Sequence, residues 1–391
     1  MEGSLTRRKM LIQEFISTLE EVIPLGSVGY DRDAVGVQVG FPKGAELTRA
    51  LFAFEITDEI VDEALSLGVN LIVAFHPLIF PNLTRVDDST RTGALIGRLV
   101  RSNIALYIQH TAFDAHPEFG TSRLMAEALG LEQIKPIAGL AGTMNKIVVY
   151  VPQESVEAVR SAMSEAGAGR IGNYSKCSFE IEGKGTFKGD SGAHPTVGQA
   201  GSFERVSEVR LEMSCEMWNL NPVLRAMTSA HPYEEIAFDV LQIASGSPNF
   251  GMGAVGEWEE GKSIEDVLAL TKATFGTAVL RHNEVRTKQL TKIAMLGGAG
   301  MDFYSGAVRS GAQAFITADV RYHDFYRARF DDILLIDAGH AETERFVAGG
   351  MLRAAKFAIA CAAKKGKDFS KENLEALLVV SKYQPNALRY Y

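Results

Sequence analysis

Short apolar runs typical of β-strands alternate with amphipathic helical patterns over the first third of this chain. The predicted elements are, in order, a helix at residues 12–23, a strand near 50–55, a helix at 58–67, a strand ending at His76, a helix at 91–101, a strand ending at His110 and a helix at 121–129. Strands that alternate with helices through short connections form parallel pairs. The pattern therefore predicts an α/β fold, with a mostly parallel sheet covered by helices on both faces.

The alternation stops near Met144 and resumes near Ala254, after which a helix is expected at residues 263–274 with Ser263 as its N-cap. Between Met144 and Ala254 the patterns run strand, helix, two strands, helix, strand, with short strands expected at residues 176–181 and 186–188. This order is the split β-α-β arrangement of a ferredoxin-like fold. A chain of 391 residues also exceeds the size of one core. We therefore predict a two-part α/β body with mostly parallel sheets, residues 1–140 and 250–391, interrupted by an inserted α+β domain at 144–245.

Composition and charge exclude several classes of protein. Apolar residues make up 46% and charged residues 23% of the chain, as in ordinary globular proteins. The net charge of −8 argues against nucleic-acid binding, which needs a basic surface, although local cations could hold one small anionic or nucleotide ligand. No membrane span or signal peptide is expected. Cys177, Cys215 and Cys361 are far apart, which favours reduced thiols and a cytoplasmic protein.

Histidines follow several of the predicted strands, and two of them are followed by a carboxylate four residues later. These residues are His76, His110 with Asp114, and His340 with Glu344. Residues 111–114 are expected to form a loop, whereas His340 and Glu344 are expected on one face of the opening turns of a long helix. Ligands of an open α/β sheet collect outside the carboxyl ends of its strands, so these side chains could converge on one pocket. Imidazole and carboxylate ligands together suit zinc, manganese or iron. The sequence predicts a divalent metal site, with zinc as the first expectation.

Three other segments leave their roles open. His323 follows the strand at residues 314–317 and could be a metal ligand, a proton shuttle or an ordinary helix residue. The run Gly-Gly-Ala-Gly at residues 297–300 could bind an anion through backbone N–H groups. Its spacing matches neither the Walker nor the dinucleotide fingerprint, which favours a simple glycine turn. The segment His-Pro-Tyr-Glu-Glu at residues 231–235 is interpreted as a structural loop or a regulatory contact.

Several motifs occur in the order of a known family. They are Val-Gly-Val-Gln-Val-Gly at residues 35–40, His-Pro-Leu-Ile-Phe at 76–80, His-Thr-Ala-Phe-Asp-Ala at 110–115, the segment 319–324, and Asp-Ala-Gly-His-Ala-Glu-Thr-Glu-Arg at 337–345. On these motifs the chain resembles the NIF-three-like family, the GTP cyclohydrolase I type 2 homologues. Residues 172–179 and 231–235 also make the insert similar to the PII-like/CutA-like middle domain of the longer family members.

The resemblance implies a dinuclear metal centre, with one or two divalent ions per chain, and a homohexameric ring. Its implied ligands are His76, His110, Asp114, His340 and Glu344, with Asp114 as the bridging carboxylate. One departure concerns Phe75, which stands where the family usually has a further histidine. Phenylalanine cannot coordinate a metal. The site would then hold a single ion, hold a second ion weakly, or use His323 instead.

Three functions remain open on these grounds. The first is a metal-dependent hydrolase acting on a nucleotide or related heterocycle, in which metal-bound water is the nucleophile and His323 the candidate general acid or base. The second is a non-catalytic metal-handling or regulatory protein that uses the insert as a sensor or lid. The third is a scaffold whose ring assembly is itself the function.

Overall fold

The computed structural model describes residues 10–25, 33–140, 142–244, 246–247, 250–364 and 374–389. They fall into two compact units. The first unit takes Met1–Gly139 and Asn249–Tyr391, and the second takes Leu140–Pro248.

The strands and helices are numbered in chain order. The strands are β1 Gly36–Val39, β2 Ala50–Ala53, β3 Leu71–Ala74, β4 Ala105–Ile108, β5 Glu132–Lys135, β6 Ala138–Gly139, β7 Met144–Pro152, β8 Phe179–Lys188, β9 Phe203–Glu216, β10 Phe238–Ile243, β11 Gly251–Met252, β12 Ala254–Ser263, β13 Arg281–His282, β14 Gln289–Ala299, β15 Ala314–Ala318, β16 Leu334–Asp337 and β17 Leu378–Val380. The helices are α1 Ile12–Glu20, α2 Asp58–Ser66, α3 Arg91–Arg101, α4 His110–Asp114, α5 Thr121–Ala128, α6 Val156–Glu165, α7 Leu220–Ala230, α8 Ile264–Phe275, α9 Tyr304–Arg309, α10 Tyr322–Phe330, α11 His340–Thr343, α12 Val347–Lys364 and α13 Leu374–Leu377.

The first unit contains two large sheets, which supply the two halves of the candidate site, and a two-stranded sheet of β6 and β11. One sheet has the order β1-β4-β3-β2-β17 and is parallel except at the β1–β4 edge. The other has the order β13-β16-β15-β14-β12-β5 and is parallel only in its centre, across β14, β15 and β16. The strands β2, β3 and β4 are buried along their whole length, as expected where helices cover both faces of a sheet. The predicted α/β fold class is confirmed, with a second sheet that is mixed.

Helices cover both sheets of this unit. One face of the first sheet packs on α1 and α12, and its other face packs on α2 and α3. The second sheet shares a core with α5 and α8. The Ser263 hydroxyl accepts a hydrogen bond from the Asp266 backbone N–H at 3.1 Å, so the predicted N-cap of α8 is confirmed.

One helical stretch, His340–Ala363, is long and apolar enough to cross a membrane by length and composition alone. Its side chains nevertheless belong to the core beneath the first sheet, where Val347, Met351, Ala354 and Ile359 are almost fully buried. Core helices of folded domains pass the same test, so this burial explains the apolar composition of the stretch.

The second unit is an antiparallel sheet with the order β10-β7-β9-β8 and two helices, α6 and α7, on one face. Its chain order is β-α-β-β-α-β, the split arrangement of a ferredoxin-like fold. The predicted pair of short strands at residues 176–181 and 186–188 is wrong, because Phe179–Lys188 forms one continuous strand. Most of its side chains are exposed, which leaves no apolar alternation to mark it in the sequence.

Two local predictions near the candidate site also need correction. Residues 111–114, expected as a loop, belong to the short helix α4. The helix expected to run on from His340 is interrupted, since α11 ends at Thr343 and α12 begins at Val347. His340 and Glu344 still lie one helical turn apart, and the Glu344 N–H donates to the His340 carbonyl at 3.2 Å.

Candidate metal centre

The candidate site lies where strands of both sheets of the first unit end. His76 follows β3 and His110 follows β4, which are neighbouring parallel strands. His340 follows β16, whose parallel neighbour β15 is followed by Asp319. Carboxyl ends of parallel strands share one edge of a sheet, which is why residues so far apart in sequence meet here.

His76, His340 and Glu344 form the tightest group. Each offers one ligand atom, and these atoms all lie within 4.8 Å of one another. Glu344 Oε2 is 3.4 Å from His76 Nε2 and 3.2 Å from His340 Nε2. The same oxygen is buried and has no hydrogen-bond partner with acceptable geometry among the described residues. A buried carboxylate oxygen between two imidazole nitrogens is costly unless a cation joins them.

Three of the candidate histidines direct the Nδ1 atom toward a carboxylate, namely His76, His110 and His340. His340 Nδ1 lies 2.6 Å from Asp319 Oδ2, and His110 Nδ1 lies 2.7 Å from Asp33 Oδ1. The third pair is looser, with 3.5 Å between His76 Nδ1 and Glu55 Oε2. Such contacts fix the imidazole tautomer and leave Nε2 free for a metal.

Asp33 and Asp319 are therefore functional candidates that the sequence prediction did not assign. Asp319 and Glu55 each stand within two residues of a strand end, as His76 and His110 do, so the same rule could have identified them. Asp33 lies before β1 and had no such signal.

His110 and Asp114 lie beside this group and are not part of it. The ring centroids of His76 and His110 are 5.6 Å apart. Burial, followed by the charge of Glu344, raises the pKa of Asp114 to about 7, although His110, His76 and a hydrogen bond from Thr121 oppose the rise. Two carboxylates that destabilise each other's charge in this way suit a site that receives a cation.

The same charges act on the histidines. The Glu344 carboxylate is the main cause that raises the pKa of His340 to about 9, and Asp319 adds to it against the effect of burial. Burial lowers the pKa of His110, but the hydrogen bond to Asp33 and the charges of Asp114 and Glu344 outweigh it, and the net shift is upward. The site thus carries a surplus of negative charge around its imidazoles.

Phe75 occupies the space between two of the candidate ligands. Its side chain is fully buried, with ring centroids 5.0 Å from His76 and 5.4 Å from His110. It also packs on Phe54 and Phe113. An apolar ring, which cannot coordinate a metal, therefore stands beside two of the candidate ligands.

The glycine run at residues 297–300 ends strand β14, and its backbone N–H groups are already used. Gly298 N–H donates to Thr343 Oγ1 at 3.0 Å, and Gly300 N–H donates to Thr317 Oγ1 at 2.9 Å. Gly298 has φ +66°, and a Cβ atom there would lie 2.3 Å from Glu344 Oε1. The run serves to make room for the Glu344 carboxylate, which favours the glycine-turn interpretation over an anion site.

His323 is not brought into this cluster. It is exposed on α10, where its ring contacts the ring of Tyr322. Its role as general acid or base stays a prediction.

Comparison with known proteins identifies the chain's relatives. The family model Duf34/NIF3 (NGG1p interacting factor 3) matches residues 10–362. The chain belongs to the Duf34/NIF3 family. The resemblance stated from the motifs is thereby confirmed.

Close relatives of this Duf34/NIF3 chain are bacterial. The GTP cyclohydrolase 1 type 2 homolog of Halalkalibacterium halodurans is 34% identical over 358 residues, covering 91% of the chain and 90% of the relative. The protein of the same name from Bacillus subtilis is 32% identical over 342 residues, covering 87% and 91%. The crystal structure of a Bacillus cereus protein related to NIF3 superposes with a TM-score of 0.80 at 32% identity, covering 97% of this chain and 98% of that one.

Proposed function

We propose that this Duf34/NIF3 chain is a metal-dependent hydrolase acting on a nucleotide or related heterocycle. The observation that carries the proposal is the buried Glu344 Oε2, which lies between the Nε2 atoms of His76 and His340. This donor set of two imidazoles and one carboxylate is typical of catalytic zinc sites, which keep a further position open.

His76, His340 and Glu344 would hold the ion, and His110 and Asp114 would complete a second position beside it. A bound divalent ion of this kind supplies a hydroxide nucleophile near neutral pH by lowering the pKa of its water to about 7. The contribution of the chain is orientation. Asp319 and Asp33 would accept the Nδ1 protons of His340 and His110 and so orient both rings, and a bound ion would take the place of the Nε2 protons.

A cavity of about 1070 Å³ opens beside the candidate ligands. Its lining includes Phe54, Arg91, Tyr383 and Arg389 together with His76 and His340. The volume suits a nucleotide-sized molecule. The aromatic side chains could stack on a nucleobase, and the guanidinium groups could bind an anionic group. The name of the relatives, GTP cyclohydrolase 1 type 2 homolog, agrees with such a substrate class.

The test is reversible removal of the metal. Protein purified without chelators is offered GTP, other nucleoside triphosphates and free purines, and product formation is followed by chromatography. We expect turnover of at least one substrate, its loss after dialysis against a chelator, and its recovery with zinc, manganese or iron. Turnover that is unchanged after complete metal removal would contradict the proposal.

Phe75 favours a second candidate function, a metal-handling or regulatory protein with a single ion. A fully buried phenyl ring at the His76–His110 contact leaves the second position short of a ligand. We expect one ion per chain in the wild type by elemental mass spectrometry, and close to two in Phe75→His, because the imidazole restores a ligand without a large change in volume. Two ions in the wild type would contradict this candidate and support the dinuclear centre.

The proposal extends to properties that the resemblance implies. It includes a cytoplasmic location and a homohexameric ring without membrane or nucleic-acid partners. It also includes a PII-like character of the second unit, which would act as a sensor or lid under the second candidate function. His323 remains the proposed general acid or base if motion of α10 brings it to the substrate.

A further inference from the structure

The second unit contains a cavity of its own, of about 490 Å³. Its walls come from Tyr150 on β7, the end of β8, the β8–β9 loop around Thr196, Glu208 on β9 and the loop at residues 233–237. All of these residues belong to this unit. The cavity therefore has no part in the metal centre, and it includes the His-Pro-Tyr-Glu-Glu segment that the proposed function leaves unexplained.

The His231 ring holds one wall of this cavity in place. His231 Nε2 lies 3.0 Å from the Tyr150 carbonyl oxygen, and its Nδ1 accepts a hydrogen bond from the Tyr233 N–H at 3.1 Å. Its ring also meets the Tyr233 ring edge-on at 5.0 Å. Both imidazole nitrogens are occupied, so His231 is a structural residue that fixes the position of Tyr233.

The β8–β9 loop is joined to the same wall. Thr196 Oγ1 donates to the Pro232 carbonyl at 2.9 Å, and the His194 N–H donates to Glu234 Oε1 at 2.8 Å. The opposite walls are thus connected by hydrogen bonds before any ligand arrives. A preformed cavity of this kind loses little conformational entropy on binding.

The lining combines aromatic rings with an excess of negative charge. Tyr150, Phe187 and Tyr233 contribute rings, Glu208, Glu234 and Glu235 contribute carboxylates, and Lys188 is the basic residue of the lining. Aromatic faces and carboxylates together recognise ammonium and guanidinium groups. The same surface disfavours phosphates and carboxylates, because the lining has a surplus of like charge and contains no arginine.

The arrangement of the carboxylates also argues against a simple metal ion. Among the described residues, the histidine, cysteine or acidic side chains that lie close enough together to hold a metal ion are His76, His340 and Glu344. The three glutamates are instead spread around a space of molecular size. We propose that this cavity, the Tyr233 cavity, binds a small organic cation that carries an ammonium or guanidinium group.

In the bound state the cationic group would contact Glu208, whose carboxylate lies beside the Tyr233 side chain. Glu208 is close enough to the cavity wall at Gly185 that a Cβ atom there would lie 2.0 Å from its Oε2 atom. The carboxylate is thereby held at the cavity surface, while the remaining stem of the ligand would contact Tyr150 and Phe187.

The test uses the full chain, with spermidine and L-argininamide as cationic probes and glutarate as the anionic control, in isothermal titration calorimetry. We expect one cationic probe to bind with a dissociation constant below about 1 mM and glutarate not to bind. Glu208→Gln should weaken that binding about tenfold, because it removes one charge-assisted contact. Glu182→Gln is the matched control, since Glu182 is exposed on the neighbouring strand β8 and does not line the cavity.

Two results would overturn the proposal. One is the absence of binding by either cationic probe up to about 10 mM. The other is equal affinity of the wild type and Glu208→Gln, with both variants unfolding like the wild type. Metal content is measured in the same samples and should be the same in all three proteins.

Discussion

Replacement of Glu344 by glutamine is expected to leave the protein folded and nearly free of metal. Glu344 Oε2 is the atom that both His76 Nε2 and His340 Nε2 approach, at 3.4 and 3.2 Å. The amide has the same shape but no charge, so it removes the anionic ligand without opening a cavity. Mutation of a residue that only orients a metal ligand lowers metal affinity about 10–100-fold. Loss of the ligand itself should therefore lower zinc affinity by at least about 100-fold.

The measurement is metal content by elemental mass spectrometry after equilibration at a fixed free zinc concentration, with zinc affinity from competition against a chelator. Glu342→Gln is the control, because Glu342 lies two residues before Glu344 on α11 and its Oε1 accepts a hydrogen bond from Asn386 Nδ2 at 3.0 Å. If Glu344→Gln and the wild type bound zinc equally, the site would have been assigned to the wrong residues.

A single methyl group at Gly298 is expected to damage the site and to destabilise the first unit as well. The added Cβ would lie 2.3 Å from Glu344 Oε1 and 3.2 Å from His340 Cε1. Gly298 also has φ +66°, which costs a residue with a side chain about 1–2 kcal/mol. We therefore expect Gly298→Ala to lower the free energy of unfolding by about 1–3 kcal/mol and to reduce zinc affinity by at least tenfold.

Gly349→Ala provides a control of opposite sign. Gly349 lies in the long helix α12, its Cβ would meet nothing within 4 Å, and alanine there should stabilise the helix by about 0.5–1 kcal/mol. Urea unfolding followed by circular dichroism, with zinc titration of both variants, measures the two effects. Unchanged zinc affinity in Gly298→Ala would mean that the Glu344 carboxylate does not face Gly298 in solution.

Much of the α/β body could be predicted from the sequence because its strands are buried on both faces. Runs such as those before His76 and His110 are continuously apolar, and the polar residue that ends each run marks the carboxyl edge of the sheet. The structure has His76, His110 and His340 shortly after strand ends, as the sequence indicates, while their role as metal ligands stays a prediction. Two strands were harder to predict. The strand β8 is mostly exposed, and β17 pairs with β2, which is distant in the sequence.

The carboxylates that orient the histidines were harder to predict than the histidines themselves. His110 has φ +29° and Asp319 has φ +54°, so both depart from regular strand or helix geometry. Which ring nitrogen faces which carboxylate depends on these turns, and no residue pattern encodes them. Gly298 is similar, because its close approach to Glu344 joins two segments through tertiary packing.

The order of the ligands along the chain has a consequence for biosynthesis. His76 precedes the second unit in the sequence, whereas His340 and Glu344 follow it. A ribosome must complete the whole second unit before the last two ligands emerge, and domains generally fold as they appear. A metal held by all three side chains would therefore be captured only after both segments of the first unit have been translated, and a nascent or truncated chain would lack the complete site.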